Sequence, residues 1–466
     1  MAKKTRQENN QLVFEINKTN LNIVTSKGKK KKNKKKDRGE KVARVLQEKN
    51  SHWFKLDNAG TIYPSSKNEH WTFVFRISAV FKEEIDPEIL QKSVDEVMPR
   101  FPSFDVYLKK GFFWHYFEPN PNRLIIEKEQ NFPCSYINTA DKSHLIRVIY
   151  SKYRLSLEVF HAVSDGHGAL MLLNSIIARY IENSGCQLSS TTGFLDHRDL
   201  PSQDELEDSF LANSTGAKGK SHKESSAYNI PGTIENEGIV NVTHAILSVN
   251  EVKEVAKKHN CHLTIFLAAV FGYEIIRRRR NNPKPVKISI PIDMRKEFSS
   301  STLRNFSTYI NIPIEDETAS LAEIIETIKT GMTGIDRGFM VNNINSNVNI
   351  QKNPFVKIVP LALKNPILST SFNFLGENLQ TFAFSNLGPV KVPGEFEKYI
   401  ERYEVNLGRS KHNSIAVGLI SFGDKLVITI SSKLSENTTE RDVIRELAQL
   451  GLNVKVETNR RDSYGG

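Results

Sequence analysis

The residues with the clearest chemical potential form the pattern His161-x-x-x-Asp165-Gly166, which follows one apolar run and precedes another. Histidine has an ordinary pKa near neutrality, so it can take a proton from a nucleophile and later return it. A buried carboxylate four residues on would need a cation or several hydrogen-bond donors, and a glycine allows a tight turn beside the imidazole. The pattern indicates a general base; the alternative is a core histidine beside an ordinary Asp-Gly turn.

The flanking sequence indicates the elements that would position this base. Residues 155–160 alternate Leu155, Leu157 and Val159 on one face, which predicts a strand that ends at the histidine. An apolar helix is predicted over residues 169–180, immediately after the motif. A strand end of this kind provides the rigidity that a catalytic imidazole needs.

Other segments predict further strands and helices. Asp86 and Pro87 have the residue types of a helix cap and first turn, and Pro99 would end that helix. Residues 112–117 are strand-like, and so are residues 286–292. Because strands and helices alternate in both halves of the chain, the fold class is α/β, of the α+β two-layer kind.

The chain of 466 residues is too long for a single hydrophobic core, so two core-bearing units are expected. Residues 50–184 would form the first unit and residues 238–466 the second. Between them, residues 185–237 are rich in Ser, Thr, Asn, Gly and charges, which is typical of a linker or surface crossover. Residues 1–49 are predicted to be a lysine-rich, disordered tail.

The net charge of +11 belongs to this tail. Residues 1–49 hold 16 basic and 5 acidic side chains, whereas the rest of the chain holds 48 of each. Eight of the ten residues in 27–36 are lysine, which suits a solubilising tail or a contact with an anionic membrane surface or polyanion. No aromatic side chains interleave these lysines, so no specific nucleic-acid partner is expected.

The chain lacks the features of secreted and membrane-spanning proteins. Its three cysteines fit neither a metal site nor a disulfide framework. The first residues lack the apolar core of a signal peptide, and the longest uncharged apolar stretch, 263–273, is too short to span a bilayer. A cytoplasmic location is therefore predicted, with peripheral attachment to a membrane as the alternative.

The motif resembles the active-site HxxxDG of the CoA-dependent acyltransferases, which include chloramphenicol acetyltransferase, peptide-synthetase condensation domains and alcohol acetyltransferases. Other segments resemble the bacterial alcohol-acetyltransferase and polyketide-associated acyltransferase branch. These segments occur in the expected order and span residues 51 to about 390, at Trp53–Gly60, Arg100–Pro102, Pro291–Arg295 and Ser385–Pro389.

The resemblance implies two chloramphenicol-acetyltransferase-like lobes with an active-site tunnel between them. His161 would be the general base of an O-acyltransferase that moves an acyl group, with acetyl expected, from acyl-CoA to a small-molecule alcohol. Acyl-CoA would be a co-substrate, with no bound cofactor and no metal. One alternative is a condensation-like enzyme that uses carrier-protein-bound acyl groups to form an ester or amide, and another is an inactive binding homologue. Many condensation domains carry another histidine at the position of Phe160. Its absence here weakens the alternative of a condensation-like enzyme that forms peptide bonds.

The resemblance also implies roles for the other site residues. Asp165 would be structural, paired with Arg295 from the second lobe, and Gly166 would complete the turn. Ser385 and Asn386 would line the tunnel and help hold the oxyanion; the alternative is an ordinary turn before Gly388.

Overall fold

A computed structural model describes residues 53–67, 71–140, 142–219, 224–279, 282–365 and 377–460, together with the backbone of residues 13–17 and 20–24. The strands, numbered in chain order, are β1 Val13–Asn17, β2 Asn20–Val24, β3 Phe54–Lys55, β4 Val74–Phe81, β5 Val106–Lys110, β6 His115–Pro119, β7 Glu127–Lys128, β8 Ile146–Tyr150, β9 Arg154–Phe160, β10 Asn241–Ser248, β11 Val286–Asp293, β12 Ser307–Ile314, β13 Phe382–Pro389, β14 Ile400–Leu407, β15 Ile415–Phe422, β16 Lys425–Ser432 and β17 Lys455–Thr458. The α-helices are α1 Tyr63–Ser66, α2 Pro87–Val97, α3 Gly166–Asn183, α4 Gln203–Leu206, α5 Ser209–Asn213, α6 Val249–Lys258, α7 Leu263–Ile276, α8 Arg295–Phe298, α9 Leu321–Thr333, α10 Arg337–Lys352, α11 Pro354–Ile358, α12 Phe396–Tyr399 and α13 Thr438–Gln449.

The first large sheet has the strand order β14-β4-β9-β8-β7 and carries the HxxxDG motif at the end of β9. Its pairs are antiparallel except for β7 with β8. One face of β4 and β9 is apolar, with Ile77 and Leu157 fully buried in the same core as Leu90 of α2 and Leu172 of α3. Burial of this face against two helices fixes the register of β9, because a slip of one residue would move every side chain to the opposite face.

Helix α2 has the predicted start. The carboxylate of Asp86 accepts hydrogen bonds from Glu88 N at 2.8 Å and Ile89 N at 3.2 Å, and Pro87 occupies the first turn. The predicted strand over 112–117 is wrong in its bounds. Residues 111–114 form the turn of a hairpin between β5 and β6, since Gly111 N donates to Trp114 O at 2.9 Å.

The second large sheet has seven strands in the order β12-β11-β13-β15-β16-β10-β17. Helices α6, α7, α9 and α13 pack on it and contribute to a second core that contains Phe266, Ile324 and Val443. Strands β15 and β16 form the hairpin predicted around Gly423 and Asp424. The two sheets confirm the mixed α/β class.

Strand β14 departs from the predicted division of the chain. It lies within the predicted second unit, 238–466, yet it pairs with β4 at the edge of the first sheet. Tyr403 and Val405 of β14 join the first core, as does Phe396 of α12. In this position one face of β14 buries Tyr403 and Val405 in the first core, and the other face carries Arg402 and Glu404, which pair with each other at 2.9 Å.

The crossover over residues 185–237 is packed more closely than a simple linker. Glu205 of α4 forms two hydrogen bonds with Arg100, at 2.6 and 2.8 Å. Phe210 of α5 is buried in a small third core with Met294 and Phe306. The segment therefore runs over the first unit and anchors at the region that follows β11.

Part of the predicted tail has regular backbone structure. Strands β1 and β2 pair antiparallel in a hairpin, with Val13 opposite Val24. The alternating apolar residues of 13–24 favour this pairing, whereas the prediction of disorder rested on charge. The lysine-rich segment 27–36 lies outside the described residues. Within the described part of the chain, no helix combines the length and apolar character needed to cross a membrane.

Candidate active site

His161 lies in the turn that directly follows β9. Its backbone N donates to Phe73 O at 2.8 Å, and Val163 N donates to Phe160 O at 2.9 Å, which closes the turn. The imidazole stacks on the ring of Tyr63, with centroids 5.0 Å apart and planes inclined by 27°. The ring of Phe75 packs from another side at the same centroid distance and a steeper angle of 59°. These two contacts restrain the plane of the half-buried imidazole.

An asparagine from the other half of the chain contacts the imidazole directly. His161 Nδ1 lies 3.0 Å from Asn305 Oδ1. The amide nitrogen of Asn305 donates to the carbonyl oxygen of His161 and to Asp57 Oδ2, both at 3.0 Å. Asp57, Asn305 and His161 therefore form a continuous chain of hydrogen bonds.

Asp57 is fully buried at the end of this chain. It accepts hydrogen bonds from Gly60 N at 2.5 Å and from Asn305 N at 3.3 Å, in addition to the Asn305 side chain. The closest guanidinium nitrogen, Arg304 Nε, is 3.6 Å away. Burial raises the pKa of Asp57 to about 6, with Arg304 opposing the shift and the nearby carboxylate of Asp208 adding to it. The direct hydrogen bonds to this carboxylate therefore come from amide donors, and Arg304 acts on it as a more distant ion-pair partner.

Asp165 caps helix α3 and forms a buried ion pair. Its Oδ1 accepts from His167 N at 3.1 Å and Gly168 N at 3.4 Å. Arg295 Nη2 lies 2.9 Å from both carboxylate oxygens, and Phe306 N donates to Oδ2 at 2.9 Å. Burial acts to raise the pKa of Asp165, but the charge of Arg295 and the hydrogen bond from Phe306 outweigh it, so the pKa is lowered.

Arg295 is only 5% exposed and connects three segments. It begins α8 just after β11, and its Nε donates to Thr302 O at 2.9 Å. Its Nη2 also donates to Arg304 O at 2.6 Å, and its Nη1 to Asp293 Oδ1 at 2.9 Å. The guanidinium thus ties the loop that follows β11 to the start of α3, and so joins the two halves of the molecule beside His161.

The remaining predicted residues are Gly166, at the start of α3, and Ser385 and Asn386, on β13. A Cβ on Gly166 would come within 2.6 Å of Leu387 Cδ2, so the S-N-L-G-P segment packs directly against the motif. Asn386 donates to Thr264 Oγ1 at 2.9 Å and accepts from Gly388 N at 2.8 Å. Both polar groups of its amide are thus engaged in a turn and in a contact with α7. Ser385 lies beside it on β13 and is partly buried.

Sequence reasoning missed Asn305 and the chemistry of Asp57 and Tyr63. In the sequence, Asp57 stands out only as part of the segment Trp53–Gly60 that carries the family resemblance. Asn305 stands in a polar stretch with no recognisable pattern. A further missed residue is Gly168, where a Cβ would lie 2.1 Å from Leu303 O. The only signal for Asn305 was its position ten residues after Arg295, and spacing alone does not place a side chain beside a histidine.

A separate polar cavity of about 520 Å³ lies between β4, β10, β14 and β17. Its charged residues are paired: Arg76 lies 2.8 Å from Glu158, and Arg402 lies 2.9 Å from Glu404. Burial lowers the pKa of His244, the histidine of this cavity, although Glu404 opposes the shift. These paired charges lie between strands of the two sheets, in a cavity that His161 does not line. No group of three or more His, Cys, Asp or Glu suited to a metal ion occurs among the described residues.

No family model matches the sequence, and no curated protein matches it significantly. Solved structures do match. Polyketide synthase associated protein 5 from Mycobacterium tuberculosis superposes with a TM-score of 0.57 at 14% identity, over 85% of this chain and 97% of that one. The trichothecene 15-O-acetyltransferase TRI3 from Fusarium sporotrichioides matches at 0.51 and 11% identity, over 85% and 93% of the two chains.

A condensation domain matches as well. The starter condensation domain of rhizomide synthetase RzmA, a mutant in complex with C8-CoA and Leu-SNAC, superposes with a TM-score of 0.53 at 12% identity, over 88% of this chain and 96% of that one. The three proteins share their architecture with nearly the whole described chain. This protein therefore has the fold of the acyltransferases and condensation domains that its HxxxDG motif resembles.

Proposed function

We propose that this protein is an acyltransferase that moves an acyl group, acetyl in the first instance, from acyl-CoA to the hydroxyl of a small-molecule alcohol. The observation that carries the proposal is the setting of His161. The imidazole is held at a strand end between two aromatic rings, and its Nδ1 is engaged by Asn305. A histidine restrained in this way retains Nε2 for exchange of a proton with a substrate.

The proposed reaction needs one proton acceptor and no covalent intermediate on the protein. His161 Nε2 takes the proton of the alcohol as the oxygen attacks the thioester carbonyl. The tetrahedral intermediate then collapses, the carbon–sulfur bond breaks, and CoA leaves as the thiolate. The imidazolium returns its proton to the thiolate, so the products are the ester and free CoA. Asp165 and Arg295 take no part in proton transfer and hold the turn in place.

Release of free CoA from acetyl-CoA in the presence of a panel of alcohols tests this proposal, with mass spectrometry to identify the ester. The variant His161→Ala is expected to lose about 10²- to 10⁴-fold in turnover, the usual contribution of a general base. His197→Ala is a suitable control, since His197 belongs to the crossover segment, where its Nδ1 lies 3.5 Å from Asp196 Oδ1. Full turnover by His161→Ala would exclude His161 as the base.

A second candidate is a condensation-like enzyme that takes its acyl group from a carrier protein. The match to condensation-domain structures favours it. It predicts product formation with a pantetheine-loaded carrier and little with acyl-CoA. Parallel assays with the two donors at equal concentration separate the candidates, whereas no turnover with either donor would favour an inactive binding homologue.

The lysines of residues 27–36 are proposed to bring the enzyme to anionic lipid. Each lysine near such a surface contributes on the order of 1 kcal/mol, an attraction that salt screens. Deletion of residues 1–49 is expected to abolish salt-sensitive binding to phosphatidylserine vesicles without reducing turnover of a soluble alcohol. A full-length variant with glutamine at those eight lysines is the control for charge. Equal vesicle binding by the deleted protein would refute this role.

A further inference from the structure

The hydrogen bonds around Asn305 determine which way its side-chain amide faces. One end of the amide lies 3.0 Å from the carbonyl oxygen of His161, a group that can only accept a hydrogen bond. The same end lies 3.0 Å from a carboxylate oxygen of Asp57. Only the NH₂ group satisfies both neighbours, because the amide oxygen would repel the carbonyl oxygen whether or not Asp57 is protonated.

The orientation of the amide in turn determines the tautomer of His161. With the NH₂ group facing Asp57, the amide oxygen faces His161 Nδ1 at 3.0 Å. An amide oxygen has no proton to donate, so Nδ1 must carry the hydrogen of this contact. The hydrogen of the neutral imidazole is then on Nδ1, and Nε2 bears the free lone pair.

We propose that Asn305, anchored by Asp57, is a positioning residue that holds His161 in the Nδ1–H tautomer and leaves Nε2 as the basic nitrogen. This inference deepens the proposed function. The effect on catalysis rests on that function, whereas the tautomer of His161 follows from the hydrogen bonds alone. Asp57 contributes by holding the amide, because its Oδ2 accepts from both the backbone and the side chain of Asn305. The carboxylate of Asp57 is itself held by a hydrogen bond from Gly60 N. A side chain at position 60 would not fit, because a Cβ there would lie 2.7 Å from Ala162 O.

The tautomer can be measured without any substrate. In protein labelled with ¹⁵N-histidine, the two ring nitrogens of a neutral imidazole have distinct chemical shifts that report which one is protonated. The signals of His161 are assigned by their loss in His161→Gln, at a pH above about 8, where an ordinary histidine is neutral. The wild-type protein is expected to show Nδ1 protonated, and Asn305→Ala to show a mixture of the two tautomers.

Turnover provides the second readout. Asn305→Ala is expected to lower kcat by roughly 10- to 100-fold with little change in KM, which is less than the full contribution of a general base. Asn305→Ser covers the case in which the alanine variant does not fold, and it is also expected to show a mixture of tautomers, because a hydroxyl can donate as well as accept. Asn343→Ala is the matched control: Asn343 Nδ2 donates to Thr308 Oγ1 at 3.1 Å, so an amide contact is lost nearby without touching His161.

The outcomes separate this inference from the proposed function. A wild-type His161 protonated on Nε2, or an Asn305→Ala variant that retains the Nδ1–H signature, would overturn the positioning role. The predicted tautomers in a protein that transfers no acyl group would support the positioning role and contradict the proposed function. A loss of kcat in Asn343→Ala equal to that in Asn305→Ala would show that only general packing is involved, and would also overturn it.

Discussion

Asp57 and Asp165 are two buried carboxylates that contact the same short segment, residues 304–306, and they do so in different ways. Asp165 lies 2.9 Å from a guanidinium nitrogen of Arg295 and accepts three backbone N–H groups. Among the described residues, the donors within hydrogen-bond distance of Asp57 are amides, and the guanidinium of Arg304 lies farther off at 3.6 Å. The pKa of Asp165 is accordingly lowered, whereas that of Asp57 is raised to about 6.

The difference indicates separate tasks beside one histidine. A carboxylate with a buried cation stays charged, and its pair resists any separation of the halves that it joins. The carboxylate of Asp57 orients the neutral side chain of Asn305, which lies between it and the imidazole. Asp165 therefore holds the turn, and Asp57 holds the asparagine that contacts His161.

The largest expected effect comes from breaking the charged pair. Arg295→Met would leave Asp165 buried without a cation, and such a change typically costs about 3–5 kcal/mol of the free energy of unfolding. Urea unfolding followed by circular dichroism measures it. The control is Arg337→Met, because Arg337 is 60% exposed in its pair with Glu297 and an exposed pair contributes about 1 kcal/mol or less. Similar losses in the two variants would contradict the structural role of the pair.

Asp57 is expected to make the protein less stable as the pH rises. Its pKa is about 6 in the folded state, above the ordinary value of 3.8, so the folded protein binds the proton more tightly than the unfolded chain. Stability from this group is present at low pH and is lost as the pH rises through about 6. Two pKa units correspond to about 3 kcal/mol as an upper value.

A comparison with Asp57→Asn isolates this contribution. The free energies of unfolding of the two proteins are measured from pH 4 to pH 7.5, and their difference is followed. Arg304 and Asp208 are the charged groups that face Asp57, and they are unchanged in the variant. The wild type is expected to lose stability relative to the variant as the pH rises. A difference that does not vary with pH would show that Asp57 titrates normally.

The two carboxylates also differ in how far sequence could predict them. His161, Asp165 and Gly166 fall within one short motif, so their pattern can be recognised from the sequence, and the resemblance implies Arg295 as the partner of Asp165. The partners Asp57 and Asn305 are 248 residues apart, and both belong to loops without helical or strand periodicity. Their meeting depends on the packing of the loop that follows α8 against the first unit, which no local pattern encodes.

The fold shows the same contrast between features set by neighbouring residues and features set by residues far apart in the chain. The alternation of residues 155–160 and the cap at Asp86 predicted β9 and the start of α2, because each depends on neighbours in the chain. The pairing of β14 with β4 joins residues more than 300 positions apart, as in Val405 with Ile77. Period-2 alternation can predict a strand there but does not say which sheet the strand enters.

The smallest effects are expected at the two glycines that follow Asp165, and they test how tightly the turn is held. Gly168→Ala would bring a Cβ within 2.1 Å of Leu303 O, a backbone atom, whereas at Gly166 the clash is with the end of the Leu387 side chain. Overpacking typically costs about 1–3 kcal/mol, and we expect Gly168→Ala at the upper end and Gly166→Ala at the lower, since a leucine side chain can move. Gly334→Ala is the control, because no described residue other than its two chain neighbours has an atom within 4 Å of a Cβ there. Urea unfolding ranks the three variants, and a greater loss at Gly166 than at Gly168 would mean that the Leu387 side chain confines the turn more rigidly than the Leu303 carbonyl does.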